Sequence, residues 1–171
     1  MKQFNIVPIL IAVILFAGCL ATNANTEADK SIGVKEIYSS INCGSRQQET
    51  LSVWINTQNQ LNSIWQSLHS IRLGGNSPSA PHVDFTTHNV FLIRMGIQKS
   101  GGYSLDLAEE ASTVKDKTAT IHVSWIQPEE GAFVTQALTS PCLLLKIEKG
   151  DYHTIQVKDQ FGNIRITSTR P

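Results

Sequence analysis

GIQKSGGYSLDL, Gly96 to Leu107, is the stretch whose reading decides the fold. Gly96 and Gly101 stand at the spacing of the phosphate-gripping loop G-x-x-x-x-G-K-[ST]. That loop needs a strand before it, a lysine and a hydroxyl at its end, and then a helix whose N-terminus faces the anion. The strand is present: Val90 to Met95 (VFLIRM) is apolar on both faces apart from Arg94, as a central strand covered on each side requires. The remainder is missing. Gly102 replaces the lysine and Tyr103 the hydroxyl; beyond them Tyr103, Leu105 and Leu107 share one face, and Ser104, Asp106 and Ala108 the other. The expectation is a tight hairpin or bulge between two strands, with no nucleotide or other cofactor, because glycine reaches positive φ and has no Cβ. Such a bulge re-aims its neighbour, which makes Tyr103 a candidate for presentation at a rim.

Outward from this stretch the period stays near two. VKDKT makes a turn, after which Ile121, Val123 and Trp125 alternate with Thr120, His122 and Ser124. Cys142 to Lys149 (CLLLKIEK) starts after Pro141, a residue suited to the beginning of a strand because it cannot donate to the ladder. Ile155 with Val157, and Ile164 with Ile166, flank DQFGN as a last hairpin. Upstream, Ile32 to Asn42 and Leu51 to Asn56 read as strands. Thr57 and Gln60 have capping-box spacing, and Leu61, Ile64, Trp65 and Leu68 follow at helical spacing, with Trp65 read as a core anchor. GGNSPSAP, Gly74 to Pro81, closes that helix with a loop. The fold class expected is α+β: a mainly antiparallel β-sheet with one packed amphipathic helix. Residues 32–171, about 140, suit a single globular domain.

The N-terminus reads as an address. Lys2 followed by the apolar run Ile6 to Phe16 is too short to span a bilayer comfortably and has the form of an export signal. Phe16 to Cys19 (FAGC) resembles the lipobox of bacterial lipoproteins, with Phe16 where leucine is most usual. The expectation is therefore a signal peptide over 1–19 and acylation of Cys19, favoured over a plain secretory cut near Ala24. Two acyl chains make anchoring effectively stable. Leu20 after the cysteine resembles an outer-membrane address, and residues 20–31 (LATNANTEADKS) read as a flexible tether.

Charge and cysteine content narrow the function. Lys plus Arg number 14 and Asp plus Glu 14, with no basic stripe, which argues against nucleic acid as a partner. Beyond Cys19, Cys43 and Cys142 remain as an even pair: a disulfide in an oxidising compartment, or two buried thiols, with the export signal favouring the bridge. His69, His82, His88, His122 and His153 show no metal-ligand spacing, so no metal site is expected. His82 and His88 flank Asp84 and read as surface or strand-end residues, and Glu109 with Glu110 are adjacent and point to opposite faces of a strand. No nucleophile elbow occurs, and the chain is read as a non-enzyme with no catalytic residues.

VDF (Val83 to Phe85), GIQKSGGYSLDL and QPEEGAFVTQALTSPCLLLKI (Gln127 to Ile147), in this order, resemble the C-terminal domain of the PrcB family over about residues 83–149. The family comprises bacterial lipoproteins that are accessory subunits of a surface protease complex. The resemblance implies a non-catalytic module on the cell membrane or outer membrane, facing periplasm or exterior. Its implied partner is another secreted or envelope protein, such as a protease that it assists or inhibits. Two loops are candidates for that contact: one with Lys99, Ser100, Gly101, Gly102 and Tyr103, the other with Phe133 and Thr135. Each sets an aromatic residue beside glycines, and rigidly presented aromatics are frequent interface anchors. The same aromatics serve equally well to close off a core. The alternative function is a small-ligand or glycan-binding envelope module, with Trp125, Tyr103 and Phe133 as stacking surfaces.

Overall fold

In the computed structural model, residues 29–44, 49–69 and 78–171 are described. The signal peptide, Cys19 and residues 20–28 of the tether lie outside these residues. Lys30 and Ser31, assigned to the tether from the sequence, instead form a short strand, β1 (Lys30–Ser31), paired with β6 (Thr113–Lys115). The register Lys30↔Val114 and an ion pair of 3.3 Å between Asp29 and Lys115 fasten the chain there.

Among the described residues, ten strands and one helix are built where the periodicity changes. β2 (Val34–Ser40), β3 (Leu51–Ile55), β4 (His88–Arg94) and β8 (Cys142–Glu148) make a four-stranded antiparallel sheet in the order β2-β8-β4-β3. β1, β6, β7 (Thr118–Ile126), β9 (Thr154–Lys158) and β10 (Ile164–Thr169) make the path of a second, six-stranded sheet, which β5 (Ser104–Leu107) joins by pairing with β7. Its β7–β9 pair is parallel, with Thr118↔Thr154 and His122↔Lys158 in register; all other ladders are antiparallel.

The apolar pattern explains the layering. Along β7 the burial alternates, and Ala119, Ile121, Val123 and Trp125 point inward. They meet Phe91, Ile93, Leu143, Leu145 and Ile147 from the other sheet in one core between the sheets. β4 and β8 are apolar on both faces because their second face is also covered: Val90, Leu92 and Leu144 pack with Leu61, Trp65 and Leu68 of α1 (Gln58–Leu68). The helix starts as its sequence indicates. Thr57 caps it by accepting from the Gln60 N–H at 3.2 Å, and the Gln60 side chain accepts in return from the Asn56 N–H at 2.9 Å. The layers are thus sheet, sheet and helix, where the sequence reading had envisaged one sheet beneath the helix.

Both open seams between the sheets are bridged by side chains. Ser39 Oγ on β2 donates to the Leu105 carbonyl of β5 at 3.0 Å. On the opposite seam Trp54 Nε1 on β3 donates to Ser168 Oγ on β10 at 3.1 Å, and the Arg170 guanidinium lies 4.8 Å from the Trp54 ring centroid. These bonds limit the edge exposure that invites non-specific pairing.

Candidate docking surface

Strand directions bring several connections together at one end of the sandwich, here the loop pole, whereas the long β3–α1–β4 connection leaves and returns at the other. β4 ends there, β5 starts at Ser104 opposite Ile126 of β7, β8 begins at Cys142, and the β9–β10 hairpin turns over residues 159–163. The opposite pole holds the turn between β6 and β7, where Asp116 and Lys117 both take positive φ (47° and 59°), and the β8–β9 connection. Two successive positive φ values make the two-residue turn that follows the twist of a hairpin.

Of the hairpin or bulge expected from the sequence for the glycine stretch, the hairpin is not formed. β4 and β5 belong to different sheets, so residues 95–103 carry the chain from one sheet to the other. The two loops singled out from the sequence lie against each other: Gly101 N–H donates to the Thr135 carbonyl at 2.9 Å, and Gln98 and Thr139 exchange backbone hydrogen bonds of 2.8 and 3.1 Å. Thr139 Oγ1 adds a bond to the Ser100 carbonyl at 2.8 Å. The glycines are required by this contact. A Cβ on Gly101 would overlap Thr135 Oγ1; Gly102 has φ +84°, and a Cβ there would meet Val134 Cγ1 at 3.0 Å and Pro128 Cβ at 3.1 Å.

This packing separates the two aromatic candidates. Tyr103 is half-buried and packs on the core between the sheets, whereas Phe133 is 108 % exposed, so no neighbour covers it. Lys99, Gly102 and Thr135 are exposed, Ser100 is half-buried and Gly101 is buried. Trp125, proposed from the sequence as a stacking surface, is a core residue at 5 % exposure, with the Arg165 guanidinium 5.7 Å from its ring centroid. With Trp125 buried and Tyr103 half-buried, the aromatic platform of the glycan reading is not assembled.

Sequence reasoning missed how much else is apolar at the loop pole. Among the described residues the exposed large hydrophobics are Ile41, Ile126, Phe133, Leu138, Phe161 and Ile164. Ile41 follows β2, Ile126 ends β7, Phe133 and Leu138 stand in the 127–141 connection, Phe161 is in the β9–β10 turn and Ile164 opens β10. All six fall at this one pole. Strand alternation exposes no such clustering in the sequence, because it appears only once chain direction is known.

The pole is also pinned. Cys43 and Cys142 are joined by a disulfide with Cα atoms 5.9 Å apart. Asp159, 2 % exposed, is the hub of the β9–β10 turn: Oδ1 accepts from the Phe161 and Asn163 N–H groups, both at 2.9 Å, and Oδ2 accepts from Arg165 Nε at 2.8 Å. Burial pushes its carboxyl upward, but the hydrogen bonds from Asn163, Phe161 and Arg165 together outweigh this and hold it below the usual carboxylate range. The Gln160 side chain continues the ladder past the end of β9, accepting from the Trp125 N–H at 2.9 Å.

Asp84 and His88 are linked through Thr87 Oγ1, which lies 2.8 Å from a side-chain atom of each. Asp84 is committed to a turn: Oδ1 accepts from the Thr86 N–H at 2.9 Å and Thr86 Oγ1 at 2.6 Å, and Oδ2 from Thr87 Oγ1 at 2.8 Å. The Thr86 side-chain bond leads in lowering its pKa to about 2. His88 Nδ1 lies 2.8 Å from Thr87 Oγ1, while His82 lines a separate cleft of about 470 Å³ beside α1. His122 lies 3.1 Å from Glu110, and His69 is buried against Tyr38 and Trp65. Among the described residues no three of His, Cys, Asp and Glu converge as metal ligands.

No curated protein and no solved structure matches the chain significantly. A family model does, and its span, from β4 to β8, contains both the crossover glycines and the 127–141 loop. Over residues 90–148 the chain matches the family model described as PrcB C-terminal.

Proposed function

We propose that this chain is a lipid-anchored, non-catalytic module of the cell envelope that binds another exported protein through its loop pole. The proposed anchor is Cys19, with residues 20–28 as the tether and the domain facing periplasm or exterior. The observation that carries the binding reading is Phe133: a wholly exposed aromatic side chain on a loop clamped by backbone bonds to its neighbour. A loop whose backbone is fixed before contact loses less entropy on binding, and Ile126, Leu138 and Phe161 are further exposed apolar residues at the same pole. The match to the PrcB C-terminal family supports a protease complex as the partner, with the module as accessory or inhibitor.

Crosslinking in intact cells followed by mass spectrometry tests the partner class. Recovery of one dominant exported polypeptide, lost in a Phe133→Ala, Leu138→Ser double variant that melts like the parent, is the expected result. Recovery of no protein, or equal recovery by the variant, removes the reading. Radiolabelled palmitate tests the anchor separately: label that disappears in Cys19→Ala is expected, and an unlabelled parent chain contradicts anchoring.

A further inference from the structure

Three arginines lie among the described residues; Arg165 has an ion-pair partner and Arg170 has aromatic faces, although Arg170 Nε and Nη2 are, like Arg94 Nε, buried without an acceptor. Arg165 Nη2 lies 2.8 Å from Asp159 Oδ2, and Arg170 stacks 4.8 Å from the Trp54 centroid and 5.6 Å from that of Tyr152. Arg94, at the end of β4, is 9 % exposed, and its Nε is buried without an acceptor. No ion pair, hydrogen bond or aromatic face in the described residues serves its guanidinium. Arginine does not escape this situation by losing its proton, so the charge remains and calls for an anion.

No carboxylate among the described residues pairs with Arg94. The internal segments outside the described residues, SRQQ (45–48) and SIRLGGNS (70–77), contain neither Asp nor Glu. Glu49, close in sequence to the Leu51 that pairs with Arg94, is exposed and makes no ion pair with it. Another orphaned polar atom belongs to a residue near Arg94 in the strand register. Ser140 Oγ is buried with no partner, and Ser140 stands two residues before Cys142, the cross-strand neighbour of Arg94. Its backbone is fixed by donation to the Ile41 carbonyl and acceptance from the Cys43 N–H, both at 2.9 Å. Burial also presses the Arg94 pKa downward, the direction expected of a cation without a counter-charge.

We propose that Arg94 and Ser140 form a carboxylate-binding site beside the Cys43–Cys142 bridge. The guanidinium fork matches the two coplanar oxygens of a carboxylate, and the serine hydroxyl supplies a further donor. The guest is either a free small carboxylate or the carboxylate of a polypeptide. The site rests on the surroundings of Arg94 and stands whether or not Phe133 docks a partner.

The test uses the full chain labelled with ¹⁵N-arginine, the Arg94 Nε–Hε resonance being assigned by its loss in Arg94→Lys. Titration with sodium acetate, against sodium chloride at equal ionic strength, is expected to shift this resonance saturably and leave those of Arg165 and Arg170 in place. Ser140→Ala is expected to weaken acetate roughly tenfold, the loss of one hydrogen bond to a charged group. A non-saturating response, or one shared equally by all three arginines, overturns the site. Short peptides that differ only in a free or amidated C-terminus then assign the guest. Preference for the free form over both the amide and acetate identifies a polypeptide end, and equal affinity for peptide and acetate identifies a small carboxylate; either upholds the site. Arg94→Met keeps the side-chain bulk and removes the charge: it is expected to melt no lower than the parent and to lose the acetate dependence. A marked fall in its melting temperature shows that the guanidinium is already satisfied and overturns the proposal.

Discussion

The two poles of the sandwich turn the chain by opposite means. At the turn pole the connection between β6 and β7 is as short as a hairpin allows, and its two positive-φ positions are held by Asp116 and Lys117, residues that pay a conformational cost there. At the loop pole the positive φ at positions 44, 96, 102, 131 and 162 falls on glycine every time, in connections long enough to need pinning. The pinning is heavy: a disulfide, a buried carboxylate and a run of loop-to-loop backbone bonds. The exposed large hydrophobics nevertheless stand at this pole and are absent from the turn pole. The difference teaches that the loop pole is built for a fixed shape at its surface, whereas the turn pole needs only to reverse direction.

The largest way to break this asymmetry is to open the disulfide, whose cysteines are separated by 99 positions. For a closed loop of this order the chain-entropy model allows about 4.7 kcal/mol, and a loss of about 3 to 4 kcal/mol in denaturant unfolding is expected for Cys43→Ala with Cys142→Ala. Asp159→Asn is expected to cost about 3 kcal/mol, because it leaves Arg165 without its buried partner and weakens the turn. The folded pKa values of Asp84 and Asp159 are both depressed, so their contribution is complete above the unfolded carboxylate range near pH 4. It is lost as pH falls through the folded values, about 2 for Asp84. Acid titration of the melting temperature checks this, and Asp159→Asn is expected to flatten the acid limb.

Smaller effects sharpen the comparison at single glycine-type positions. Gly102→Ala forces a side chain into positive φ against Val134 and Pro128, with an expected loss of about 2 kcal/mol. Lys117→Gly at the turn pole is expected to do the reverse and gain about 0.5 to 1 kcal/mol, since glycine takes its positive φ freely. Thermal melts of the two variants side by side show whether the poles differ in this sense. A loss at both positions removes the distinction.

What the sequence made legible follows from local rules. The helix start at Thr57, the double burial of β4 and the alternation of β7 are written in residue types a few positions apart. The alternation after the glycine stretch points to a strand and not to a phosphate-loop helix, and β5 follows directly; that the stretch crosses between sheets instead of closing a hairpin is not visible in it. Whether two consecutive strands pair or part into different sheets depends on partners such as Ile126 and Arg94's neighbour Cys142, tens of residues away. The candidate surface was half legible for the same reason. Glycine beside an aromatic pointed to both loops, yet only tertiary packing divides Tyr103, held against the core, from Phe133, held in solvent. Ile126 and Ile164 looked like ordinary strand residues, and their exposure at one pole follows from chain direction alone.

The most direct measurement of the docking account places a photo-crosslinking amino acid at position 133 and, in a second protein, at position 117 of the turn pole, in cells exporting the chain. The account expects an adduct with one discrete polypeptide from position 133 and none from position 117. Adducts of equal yield from both positions, or from position 117 alone, contradict it.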